Sequence, residues 1–425
     1  MTARAVRDLR AAEQSLKLLR FAQPRAVSRP ESRPEPRPVP QRTWWTRPRA
    51  SAREVERAED LLCDLLALTD GGRELRIRNE DRFHSLALAE VLLEEARETG
   101  FDDPREGERL ARLGLLLLES LDSHYHGRRI LDDLRGRAHV FLGNNLRLAR
   151  DLQGAERELT LAAEFLADSP NELEEVARVH FLALLRKEQG RCEETADLLH
   201  EVCERYESLG EDNRAARAFA SLGDLLLRQG LPEEAAQPLA EALVRLDPEE
   251  DPRTLLCVRH NLVVCLLDLG KAADAEDLFQ RCEEDYERFP DTYTKLHADW
   301  LRGMLAAGLG REEEAEAYLT SVRDRFVEND LFWDSAIISL DLAMLYSRQG
   351  RTAEVREIAR TMTPIIAAQD NPRETTAALM FFATVAEQER ASVQAIRRVA
   401  QFLRKASLNP QLKFSSRTAE DPLRG

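Results

Sequence analysis

Gly190, Gly230, Gly270, Gly310 and Gly350 recur every 40 residues through the second half of this 425-residue chain. With 19 glycines available, four further hits on one fixed register would arise by chance in about four cases per million. A fixed period of this length is the mark of a stacked array, in which one structural unit is copied and each copy covers the next. Arg150 stands one period earlier, as a degenerate copy.

Other columns keep the same register. Seven residues before each turn stand Gly143, Ala183, Gly223, Val263, Gly303 and Ala343, small in all but one case. Five residues after it stand Ala155, Thr195, Ala235, Ala275, Ala315 and Val355. Nine after it stand Leu159, Leu199, Leu239, Phe279, Leu319 and Ala359. Leu, Ala, Glu and Arg dominate, and apolar positions recur at three and four residues, so both arms of each copy are helices. The turn glycine closes a first helix, A, where a left-handed residue is cheapest. Small residues in A and in the following helix, B, let the two approach closely. The large residue in B fills the space between pairs.

This pattern resembles the tetratricopeptide repeat (TPR). Gln229-Gly-Leu-Pro-Glu-Glu-Ala235 and Leu309-Gly-Arg-Glu-Glu-Glu-Ala315 look like its turn, and the resemblance covers about 132–370 as six repeats. It departs from the family in period, 40 rather than about 34. It also departs in having few aromatics at the start of helix A, with Phe219 the clearest survivor, and in lacking a proline after helix B. Period-40 arrays resemble the sensor arrays of bacterial transcription activators and peptide-responsive regulators, a likeness of fold. The expected architecture is all-α: a right-handed superhelical solenoid of antiparallel helix pairs.

Five segments follow. Residues 1–50 form an Arg/Pro-rich tail with 7 of the 18 prolines and 12 basic against 4 acidic side chains. It is expected to be disordered and dispensable for folding. Val6, Leu9, Leu16 and Leu19 share a helical face there, giving either a docking helix or one that forms part of the time. Trp44 and Trp45 read equally as a linear binding motif or as packing on the body. Residues 51–130 hold N-terminal helices with one degenerate repeat, and 131–370 the six repeats. Residues 371–406 are helices capping the last apolar face, and 407–425 a disordered tail. Ser169, Asp251 and Asn371 each precede a proline and are read as helix caps.

The net charge is −16, and with +8 in the tail the body carries −24, so nucleic acid is an unlikely ligand for it. No stretch of 18 apolar residues occurs, so no membrane span is expected. Six cysteines without a Cys-x-x-Cys fit a reducing, cytoplasmic setting. His124-Tyr-His126 lacks the support a metal site needs, and nucleotide, hydrolase and zinc-protease motifs are absent. No cofactor, no metal and no enzyme activity are expected.

What is left is a surface. The resemblance implies that three helix A columns line a concave groove. The residues singled out are Arg137, Asn144, His180, Arg217 and Asp224 in its polar half. His260, His297, Trp300, Met304, Ile337, Leu340 and Met344 follow toward its apolar half. The family's two-carboxylate clamp is not matched, because Val140 and Phe181 occupy places where it needs Lys and Asn. Two functions fit: a scaffold or adaptor that binds a protein, as a helix or extended peptide, or a regulatory sensor that binds a small molecule or signalling peptide and acts on a separate effector. Pairing of copies through the terminal helices is compatible with either.

Overall fold

The computed structural model describes residues 49–169, 171–289, 291–367, 373–408 and 412–415. The tail helix, Trp44, Trp45 and the Asn371 cap lie outside them. Every regular element among the described residues is helical. The chain divides into two compact units, one holding residues 49–189 and 193–211, the other 190–192 and the described residues from 212 onward.

In the first unit, α1 (Ala52–Leu66), α2 (Asp70–Asn79), α3 (Leu86–Asp102), α4 (Pro104–Ser120) and the short α5 (Ser123–His126) precede two repeat pairs. These are α6 (Arg128–Leu148) with α7 (Leu152–Leu166), and α8 (Glu172–Glu188) with α9 (Cys192–Ser208). In the second unit come α10 (Asp212–Arg228) with α11 (Pro232–Arg245), and α12 (Pro252–Asp268) with α13 (Ala272–Glu287). They are followed by α14 (Thr292–Gly308) with α15 (Glu312–Glu328), α16 (Phe332–Arg348) with α17 (Thr352–Ala367), and then α18 (Arg373–Glu387) and α19 (Val393–Ala406).

The periodic turns are built as their composition requires. Gly190, Gly230, Gly270, Gly310 and Gly350 all take φ between 70° and 76°. Arg150 takes φ 69° in the degenerate copy, where a side chain must bear the left-handed conformation. At the glycine turn of α10 the Gly230 N–H donates to the Leu227 carbonyl and the Leu231 N–H to that of Leu226, which satisfies the last carbonyls of the helix. The small-residue column then sets the spacing within a pair. A Cβ on Gly223 would lie 2.5 Å from Leu239 Cγ, and one on Gly303 2.9 Å from Leu319 Cγ. All members of the +5 and +9 columns are buried. Each B helix of the second unit packs on the following A helix, and consecutive A helices α10, α12, α14 and α16 also touch. This is a stack in which each pair is covered by its neighbours.

Several details differ from the sequence reading. Asp251 caps α12 by accepting from the Thr254 N–H, but Ser169 caps nothing. Its hydroxyl donates to Asp133 and accepts from the Asn171 N–H, and α8 starts after Asn171. Arg49 and Ala50, assigned to the tail, belong to the body. Their backbone N–H groups donate to the buried Glu90 carboxylate, and the Arg49 guanidinium pairs with Asp133 at 2.8 Å. At the other end Phe414, also assigned to a tail, packs against Phe381 and Phe402, and its N–H donates to Glu374. Finally, α19 does more than cover the last pair. It packs on α18 and α16 and reaches back to α10.

Candidate binding face

The predicted groove residues fall in both units. In the first, Arg137 is buried and pairs through Nε and Nη2 with Glu174 Oε1. The surrounding carboxylates of Glu174, Glu94 and Glu90 more than offset the cost of its burial and hold its pKa above the ordinary value. A guanidinium committed in this way is part of the interior and offers nothing to a partner. Asn144 is buried and accepts from Arg147, while half-buried His180 stacks beside Phe181 and meets the edge of Tyr206.

The second unit holds the other residues. Arg217 pairs with Asp251, and Asp224 with Arg228. On the next A helices, α12 and α14, a chain of rings follows. His260 Nδ1 lies 3.0 Å from the Tyr286 hydroxyl, its ring 5.5 Å from His297 and 5.9 Å from Trp300. His297 also touches Tyr293 and Phe326. Trp300 Nε1 donates to Asp341 Oδ2 at 3.1 Å. Burial, with the nearby His297, pushes His260 down to about 3. Burial and then Arg228 push His297 down to about 4. Burial raises Asp341 to about 6 against the pull of Arg404. The two imidazoles are therefore neutral packing groups at pH 7.

Met304 and Met344 are half-buried and line a cavity of about 350 Å³ together with Leu227, Asp268, Asp341 and Arg348. Ile337 is half-buried nearby in sequence, but Leu340 is fully buried in the core that α16 shares with α18 and α19. Leu340 is therefore not exposed groove surface. Its apolar neighbours on α19 exclude water from it, as expected where two amphipathic helices meet.

Asp341 was missed by pattern reading, yet its column held a signal. One period and more earlier stand Leu301, Asn261, Ser221 and Phe181, so Asp341 is the one ionisable group at that place. Cys265 and Cys282 are buried, with thiols pushed up to about 12, and all six cysteines are unbridged. Among the described residues no three His, Cys, Asp or Glu side chains are placed to hold a metal ion, and no helix is long and apolar enough to cross a membrane.

No protein-family model matches the sequence, and no curated protein matches it. Solved structures similar to it include the following two. Aspartyl phosphate phosphatase F from Bacillus subtilis is 15% identical, with 81% of this chain and 96% of that chain covered and a TM-score of 0.44. A Rap protein complexed with competence and sporulation factor is 14% identical, with 75% of this chain and 87% of that chain covered and a TM-score of 0.53. That second likeness, with the 40-residue columns and their turns, identifies the fold as an all-helical, tetratricopeptide-like repeat array.

Proposed function

We propose that the chain is a non-enzymatic scaffold or adaptor that binds a protein partner, as a peptide or helix, on the A-helix face of its second unit. The observation that carries this reading is the set Trp300, Met304 and Met344. These side chains are half-buried on adjacent A helices, and both methionines line one cavity. Trp and Met are the residue types of adaptable recognition surfaces. Arg217 and Asp224 form its polar end, and Arg137 belongs to the interior instead.

A second reading is a regulatory sensor. It draws on the solved Rap protein, which is complexed with competence and sporulation factor. A groove ligand of that kind here would act through a separate effector protein.

The test is a pull-down with the full chain, then calorimetry of the recovered partner against wild type and Trp300→Ala. Truncating an aromatic anchor costs at least about 2 kcal/mol, so affinity should fall roughly thirtyfold with helix content unchanged. Met344→Glu serves as a second probe, because Trp300 also supports Asp341. Normal binding by both folded variants would move recognition off this face.

A further inference from the structure

We propose that the A-helix face of the second unit is a docking site for a basic amphipathic helix, and that the chain's own terminal helix α19 occupies it in cis until a partner helix displaces it. This rests on the reading of that face as the recognition surface.

Three observations carry it. The first is position. A B helix of the stack packs on its own A helix and on the one that follows, whereas α19 lies on α16 of the preceding pair and reaches α10, four pairs before its own. Lys405 Cε comes within 3.8 Å of the Cβ position of Gly230, at the end of α10. The link from α18 is five residues, with Glu389 at φ 57° turning the chain.

The second is charge. Residues 393–406 contain Arg397, Arg398, Arg404 and Lys405 and no acidic side chain. Beneath them the cavity is lined by Asp268 and Asp341 of the A helices and Glu233 of α11, together with Arg348 and with Arg228, which is itself paired with Asp224. Arg404 Nη2 is 3.8 Å from Asp341 Oδ1, and burial raises the Asp268 carboxyl against the pull of Arg404 and Arg397. The apolar side of α19 follows a helical stripe, Ile396, Val399, Leu403 and Ala406, all buried. An incoming helix has to repeat both features, because leaving this apolar strip bare would be costly.

The third is imperfect fit. A cleft of about 350 Å³, partly open to solvent, lies between α19 and the A helices, so α19 leaves part of the face unfilled. Asp341 is 4% exposed and lines this cleft, and its Oδ1 accepts no hydrogen bond from the described residues. A partner whose arginine reaches Asp341 in bidentate fashion and whose side chains fill the cavity gains contacts that α19 does not make. It needs them, since a tethered helix competes at millimolar effective concentration.

The experiment uses the full chain, wild type and Arg397→Glu/Arg404→Glu, with a fluorescein-labelled peptide of residues 391–408. In the variant the reversed charges face Asp268 and Asp341, so amides of 393–406 should exchange at least about tenfold faster. The labelled peptide, with its native arginines, should then bind the variant at least about tenfold more tightly than wild type. Unchanged exchange, or faster exchange without gain of peptide binding, would make α19 a structural cap and overturn the proposal. If the double variant is not folded, Arg397→Glu alone, at an exposed position, carries the same two readouts. A protein partner that binds wild type and variant equally defeats cis occupancy while leaving the groove reading intact. Loss of the groove reading is reported separately by Trp300→Ala.

Discussion

Gly223→Ala should destabilise the second unit, although alanine is the better helix former. In an open helix interior the change would gain about 1 kcal/mol. Here the new methyl would lie 2.5 Å from both Cγ and Cδ2 of Leu239. Cγ cannot swing aside as a side-chain terminus does, and Leu239 is fully buried between pairs. Overpacking of this kind costs about 1–3 kcal/mol, so the net loss should be up to about 2 kcal/mol. The same column gives a ranking. Gly303→Ala, with 2.8 Å to Leu319 Cδ2, should cost less, and Gly143→Ala, with 3.0 Å to Leu159 Cγ, least of all. Urea unfolding followed by tryptophan fluorescence suits the first two, because Trp300 and Trp333 both report on the second unit. Leu239→Ala completes a double-mutant cycle and should cost less in the Gly223→Ala background than in wild type. A Gly223→Ala chain about 1 kcal/mol more stable than wild type, or a strictly additive cycle, would refute the close approach of α10 and α11 at this point.

Removing one partner of the buried Arg137–Glu174 pair by Arg137→Ala should cost about 3–5 kcal/mol, measured by chemical unfolding, and a loss below about 1 kcal/mol would show the pair to be dispensable. A chain beginning at Ser51 should be less stable than the full chain by about 1–3 kcal/mol, because Glu90 loses its backbone donors; equal melting temperatures would restore the tail boundary at residue 50. Stability should fall as pH drops from about 6.5 toward 4. His260 and His297 titrate at about 3 and about 4 in the native state, against about 6.5 unfolded, so over that range only the unfolded chain takes up their protons. Asp341, raised to about 6, works in the opposite sense, as do Asp268 and Asp334, which burial also raises, while the lowered carboxyls of Glu106, Asp291 and Glu316 add to the fall. A melting temperature that is flat over this window, or unaltered in slope by His297→Gln, would contradict the assignment.

The repeats were legible because their constraints are local. A left-handed turn residue, a small residue that admits a neighbouring helix and a large one that fills the gap recur at fixed offsets, and each offset has one physical cause. The binding face was legible only in part. Column position placed Trp300, Met304 and Met344 together, but it could not tell exposed from buried members of a column. Arg137 and Leu340 occupy groove columns, yet Glu174 and the terminal helix bury them, and both partners lie far away in sequence. Arg49 looked like part of a basic, proline-rich tail because its composition matches that tail. Its role depends on Glu90, 41 residues on, and no short-range pattern encodes that pairing. The amphipathic stripe of α19 could be read directly, but the face on which it lands could not, since a helix following the last repeat has two apolar surfaces within reach.

Hydrogen exchange of the full chain with and without its captured partner tests the central claim most directly. Protection should rise in α12, α14 and α16, around His260, Trp300, Met304 and Met344, while amides of Val393–Ala406 exchange faster as the terminal helix is displaced. Protection confined to the B helices α13 and α15, with residues 393–406 unchanged, would contradict both the recognition face and its occupant.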